Sequence, residues 1–277
     1  MKQKYMVIDV GLCHDCNNCF MACKDEHVDN NWPGYTGPQP RHGHRWINIE
    51  RRERGVYARN DVAYLPMPCQ HCQNAHCQKA APDAVKIRPD GIVMIDMEKA
   101  KGNKELIDSC PFGAIYMNEE LGMGQKCTMC AHLIDDKSWT PGMPRCAHSC
   151  PTDAMKFYEM EPAEFEAFAK KEGLEGYRTA ELKNDPRVLY KNLYKYTKNF
   201  VTAGVLVKGD CFEGAKVTLK GKGGVVATQT TNFFGEFKFD GLDDGEYTVE
   251  IEGAGKKTSS STVVKGDSKN LGFINLA

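Results

Sequence analysis

No apolar run in these 277 residues approaches the length that crosses a bilayer. Met1 to Val10 lack the basic start, long apolar stretch and small-residue cleavage site of a secretion signal, and read instead as a short strand. The cytoplasm is therefore the expected location, unless the chain is exported together with another one. Charge of one sign is missing too: 36 Lys and Arg face 37 Asp and Glu, a formal net charge of -1. That balance supplies no electrostatic reason to bind nucleic acid or an anionic membrane. The basic stretch Arg41 to Arg54 is interrupted by Glu50 and Glu53 and reads as a strand face or a protein contact, with the twin arginine Arg51-Arg52 solvated. No Gly-rich phosphate loop follows a strand, and there is no nucleophile elbow or zinc-protease helix. No catalytic residue is expected on this chain.

Cysteine is what the sequence has in excess. Twelve of its thirteen cysteines fall between Cys13 and Cys150. In a reducing compartment so many would be unusual as disulfides, and the skew points to metal. Cys13, Cys16, Cys19 and Cys23 are spaced C-x2-C-x2-C-x3-C, which wraps one iron–sulfur cubane with three thiolates and sends the fourth to a second. Zinc sites usually pair two-ligand knuckles across a long gap, so four cysteines this close fit zinc poorly. Cys127, Cys130, Cys146 and Cys150, followed by Pro151, would alone suit zinc as well. Beside the first run they read as its exchange partner. The expected sets are Cys13, Cys16, Cys19 and Cys150 for one [4Fe-4S] cluster, and Cys23, Cys127, Cys130 and Cys146 for a second.

The middle of the chain shows what has been removed. Cys69, Cys72 and Cys77 are spaced C-x2-C-x4-C, and the next expected position is Ala81, still followed by Pro82. A further run would place cysteines at 100, 103, 106 and 110, where the chain has Ala100, Asn103, Leu106 and Cys110. The survivors Cys69, Cys72, Cys77 and Cys110 form one complete ligand set, and Ala81, Ala100, Asn103 and Leu106 are another set lost together. Three [4Fe-4S] clusters and one erased site are expected. His14, His71, His76, His132 and His148 lie beside these cysteines. Every set already has four thiolates, so they are expected to pack nearby or donate hydrogen bonds to cluster sulfur.

The fold expected is α+β: two nested ferredoxin-like iron–sulfur domains followed by an all-β, seven-stranded Ig-like sandwich or barrel. Residues 1–60 with 120–199 would hold two clusters, 61–119 would be an inserted domain holding one, and 200–277 would be the β-sandwich. In the connector, Pro162 suits a first helical turn, Phe165, Phe168 and Ala169 share a face, and Gly173 suits the stop. From Val201 onward short period-two segments alternate with Gly, Asn and Asp, as in Asp244-Gly245. Cys211 falls in a turn there and reads as an inert thiol.

The four-group cysteine arrangement, the segment from Cys19 through Ala22-Cys23-Lys24 to His27, and Lys126-Cys127-Thr128-Met129-Cys130 resemble the iron–sulfur subunits of the dimethyl-sulfoxide-reductase family of molybdenum enzymes. Asn31-Trp32-Pro33-Gly34-Tyr35, the stretch Ile49 to Gly55, the stretch Gly209 to Lys216 and the stretch Thr231 to Phe237 resemble its transhydroxylase branch in particular. The resemblance implies a large partner subunit carrying bis-(molybdopterin guanine dinucleotide) molybdenum, in a heterodimer that moves a hydroxyl between polyphenols, pyrogallol to phloroglucinol. Two alternatives stay open: the electron-delivering subunit of a related molybdenum reductase such as a catechol dehydroxylase, and a free-standing ferredoxin with an interaction module. The resemblance also implies that the erased cluster once stood between the first pair and the set of Cys69, Cys72, Cys77 and Cys110. That last cluster would then be electronically stranded and mainly structural.

Overall fold

The computed structural model describes residues 1–276, which are mixed α+β and mostly sheet. They divide into two compact units: Met1–Glu50 with Tyr64–Leu193, and Arg51–Ala63 with residues 194–276.

In the first unit the strand Gln3–Asp9 lies between two others. It pairs antiparallel with Met155–Met160 and parallel with Val188–Lys191. The helix Pro162–Glu172 begins as its sequence dictates, with proline in the first turn. Lys170 and Lys171 sit at the negative end of the helix dipole, and Gly173 ends it in the left-handed region at φ 63°. Its buried Phe165 stacks on Tyr5 with ring centroids 3.6 Å apart, which fixes the helix on the sheet.

The rest of this unit has short elements only. Two antiparallel hairpins, Val85–Ile87 with Val93–Ile95 and Tyr116–Asn118 with Met123–Gln125, alternate with the five-residue helices His76–Ala80 and Lys104–Asp108. Between them lie the positions expected to have lost a ligand set. Ala81, Ala100 and Leu106 are buried against Ala84, Val85, Val93, Ile115 and Met123. Asn103 caps the helix Lys104–Asp108, its side chain accepting the Leu106 N–H at 3.0 Å. Leu106→Ala should therefore cost about 2–5 kcal/mol. Chemical denaturation of the metal-loaded chain would measure this, and a change within about 0.5 kcal/mol, typical of a surface site, would contradict it.

The second unit has two four-stranded sheets. One runs Asp210–Cys211, Asn199–Val207, Glu236–Leu242, with Lys269–Asn275 parallel to Asn199–Val207. The other has the order Gly224–Thr230, Lys216–Gly221, Gly245–Gly253, Lys256–Val264. Val217, Leu219, Val249 and Ile251 point inward at alternate positions and meet Val201, Val205, Phe237 and Phe239 in one core. The seven expected segments are all strands, and an eighth, two residues long, carries Cys211.

The compact units differ from the expected boundaries at two places, Arg51–Ala63 and residues 194–199. Arg51–Ala63, assigned from sequence to the cysteine-bearing part, belongs to the β unit. Nor is the twin arginine solvated on both residues. Arg52 is half-buried and donates to the Tyr196 carbonyl at 2.6 Å and to Asn199 Oδ1 at 2.7 Å. Arg54 is 1 % exposed and bonds Asp240 at 2.8 Å and Asp61 at 2.5 Å. Two arginines that find their carbonyls and carboxylates in the β unit tie the hairpin to it. Gly55 permits the close approach: at φ 87° a side chain there would collide with the Arg59 carbonyl and the Phe200 ring.

Candidate metal centres

Each thiol set is built by a tight loop running into a short helix. Asp15 and Asn17 take left-handed backbone, which curls residues 13–17 before the helix Asn18–His27. Cys19 and Cys23 stand one turn apart on that helix, both buried. Met129 and Cys130 are left-handed in the same way before the helix Ala131–Asp135. Cys146 lies in the helix Arg145–His148 and Cys150 just beyond it.

The side chains cross over between these loops. Burial pushes the Cys19 thiol up to about 12, and Cys13, Cys150 and Cys16 add to it. Cys23 is raised by burial and then by Cys130 and Cys127. Cys146 is raised by burial and then by Cys130, Cys127 and Cys23. The neighbours of Cys23 thus come mainly from the far end of the chain. Cys69, Cys72, Cys77 and Cys110 line a third place, a small pocket shared with Val93, Ile115 and Lys126. Burial raises Cys72 to about 12 and Cys77 to about 11, with the other thiols of the set contributing.

The donor sets suit cubanes. A cubane is held by four thiolates spread over its irons, and each set offers four thiols. Several sulfurs already accept hydrogen bonds of the kind that tunes such clusters. The N–H groups of Met129, Ala114 and His71 donate to Cys127, Cys110 and Cys69 at 3.3, 3.4 and 3.5 Å. Asn184 Nδ2 lies 3.4 Å from Cys72 Sγ. A bound cluster would hold these buried thiols as thiolates and release their protons on loading.

The sets follow one another. Cys146 feels Cys19, so the first set adjoins the second. Cys127 is raised to about 11 by burial and then by Cys69, whose backbone N–H also bonds it, so the second adjoins the third. Cys77 and Cys110 pack on the apolar core that fills the erased positions. The nearness of Cys69 to Cys127 runs against the expectation that a lost cluster separates the third set from the others.

One histidine ring reaches a thiol, and others pack nearby. His27, which sequence reading passed over, is buried with Nε2 3.8 Å from Cys130 Sγ. Burial drives its pKa down to about 3, so the ring is neutral. His132 bonds Glu26 at 2.9 Å under the Trp32 ring. His71 accepts the Val93 N–H through Nδ1 at 3.1 Å, and His148 lies edge-on to Trp139. His76 lines the third cavity. Asn184, from the connector, was also missed; nothing in its local sequence marks it.

Residues 60–160 match the model of a 4Fe-4S dicluster domain, and residues 204–276 that of a carboxypeptidase regulatory-like domain. Over 279 aligned residues, the whole of both chains, the protein is 61% identical to the small subunit of pyrogallol hydroxytransferase from Pelobacter acidigallici. The chain belongs to this family of iron–sulfur small subunits. It is also 30% identical to the electron transfer subunit of thiosulfate reductase from Salmonella typhi, across 68% of this chain and 92% of that one. A dimethyl sulfoxide reductase iron–sulfur subunit from Halobacterium salinarum is 30% identical across 56% of this chain and 66% of its own. The family is thus that of the iron–sulfur subunits of dimethyl-sulfoxide-reductase-type enzymes, with an Ig-like β domain at the C-terminal end. No helix among the described residues is long and apolar enough to cross a membrane.

Proposed function

We propose that this chain is the iron–sulfur subunit of a cytoplasmic molybdenum enzyme that transfers a hydroxyl between polyphenols, pyrogallol to phloroglucinol. The observation that carries the reading is the 61% identity over the full length, β unit included. The proposed ligands are Cys13, Cys16, Cys19 and Cys150; Cys23, Cys127, Cys130 and Cys146; and Cys69, Cys72, Cys77 and Cys110. Two nested ferredoxin-like modules hold them, and the C-terminal β-sandwich serves assembly. The hydroxyl-transfer chemistry would be supplied by bis-(molybdopterin guanine dinucleotide) molybdenum on a large partner subunit. This chain's own residues bury the thiolates, donate N–H groups to their sulfurs and keep neutral His27 beside Cys130.

One observation favours a second reading. Cys69 beside Cys127 makes the three sets a continuous series, which suits electron delivery in a reductase such as a catechol dehydroxylase. Transhydroxylation is redox-neutral overall, whereas dehydroxylation consumes two electrons per turnover. Anaerobic affinity purification from native cells, with metal analysis and a pyrogallol assay, separates the readings. A molybdenum-bearing partner and phloroglucinol formation without added reductant are expected. Turnover only with a reductant would support the reductase, and a chain isolated without a molybdenum partner would support the free-standing ferredoxin.

A further inference from the structure

A buried lysine stands where two thiol sets meet. Lys126 is 3 % exposed. Its Nζ donates to the Val93 carbonyl and, at 3.0 Å, to the Cys127 carbonyl. Lysine has three donors, so one is left for whatever fills the cavity that Lys126 lines with Cys69, Cys72, Cys77 and Cys110. Its charge reaches both sets, easing the thiols of Cys77 and Cys110 on one side and Cys127 on the other. Burying an ammonium with only two carbonyl partners is costly. The anions that compensate such a charge would be the clusters themselves.

We propose that Lys126 is a charge-setting positioning residue shared by the second and third clusters, stabilising their reduced forms and so raising both potentials. The proposal rests on the cluster assignment given above. When an electron passes from the second cluster to the third, one is oxidised and the other reduced, and no proton moves. The added negative charge stays beside the same cation throughout. Net charge and hydrogen bonds to sulfur are the levers by which protein sets such potentials, and a buried cation is only weakly screened by salt.

The test is an anaerobic redox titration of the holoprotein, followed by electron paramagnetic resonance, with iron measured on every sample. In Lys126→Met, two of the three cluster signals should move to lower potential by about tenfold in reduction equilibrium, 59 mV for a one-electron couple. The third signal, from the set of Cys13, should stay, and Lys126→Arg should titrate close to the parent. If the methionine variant loses iron, Lys126→Gln is titrated in its place with the same expectation. Full iron with no shift, or one equal shift of all three signals, overturns the proposal. So does loss of iron from both neutral variants, which would make Lys126 a structural strut. A parent protein holding fewer than three clusters would instead overturn the assignment beneath it.

Discussion

Replacing Cys23 with alanine should empty the cluster of Cys127, Cys130 and Cys146 and spare the one held by Cys13, Cys16 and Cys19. Iron should fall from about twelve to about eight atoms per chain, with two cluster signals left. The reason is geometric: Cys23 sits one helical turn beyond Cys19, and the thiols nearest it are Cys130 and Cys127. Loss of the signal belonging to its own run would show that the crossing is wrong.

The second large effect is expected in the β unit. Arg54→Leu leaves Asp240 and Asp61 without the guanidinium that bonds both, and removes a side chain that is 1 % exposed. Breaking a buried pair from one side costs about 3–5 kcal/mol, so the β unit should melt well below the parent by circular dichroism. The acid limb adds a signature. Burial opposes ionisation of Asp61, but Lys238 and Arg54 outweigh it and hold the carboxyl below its usual range. A lowered pKa contributes stability that is complete above the unfolded value, about 3.9, and is lost as pH falls through the folded one. Parent stability should therefore decline below about pH 4, and the variant should decline less. A melting point equal to the parent's would show that the hairpin is not held by this arginine.

Spacing in the sequence is what proposes which cysteines belong together, because a cubane loop is short and its ligand intervals are narrow. The same logic exposes the lost set, whose positions carry Ala81, Ala100, Asn103 and Leu106. Strands of the β unit are legible because one face is buried and side chains alternate. The order of the sets is not legible in that way. It depends on Lys126 reaching across to the Val93 carbonyl, which sets Cys127 beside Cys69, and no local pattern encodes a contact between segments so far apart. The hairpin Arg51–Ala63 was misplaced for a related reason. Its arginines look solvated in a charged stretch, and it is the carbonyls of Tyr196 and Lys198, the Asn199 side chain and the carboxylates of Asp61 and Asp240 that make burial tolerable. Asn184 reaches sulfur from a segment whose composition gives no hint of metal, and His27 from the end of the helix that carries Cys19 and Cys23.

The central claim is that twelve cysteines hold three cubanes and that the fourth site is closed by its own side chains. Native mass spectrometry of the anaerobically purified chain, with iron, acid-labile sulfide and zinc measured on the same sample, tests it most directly. The account predicts a mass increment of three [4Fe-4S] clusters, with about twelve iron and about twelve sulfide and no stoichiometric zinc. An increment of two or four clusters, or a reproducible zinc ion, would contradict it.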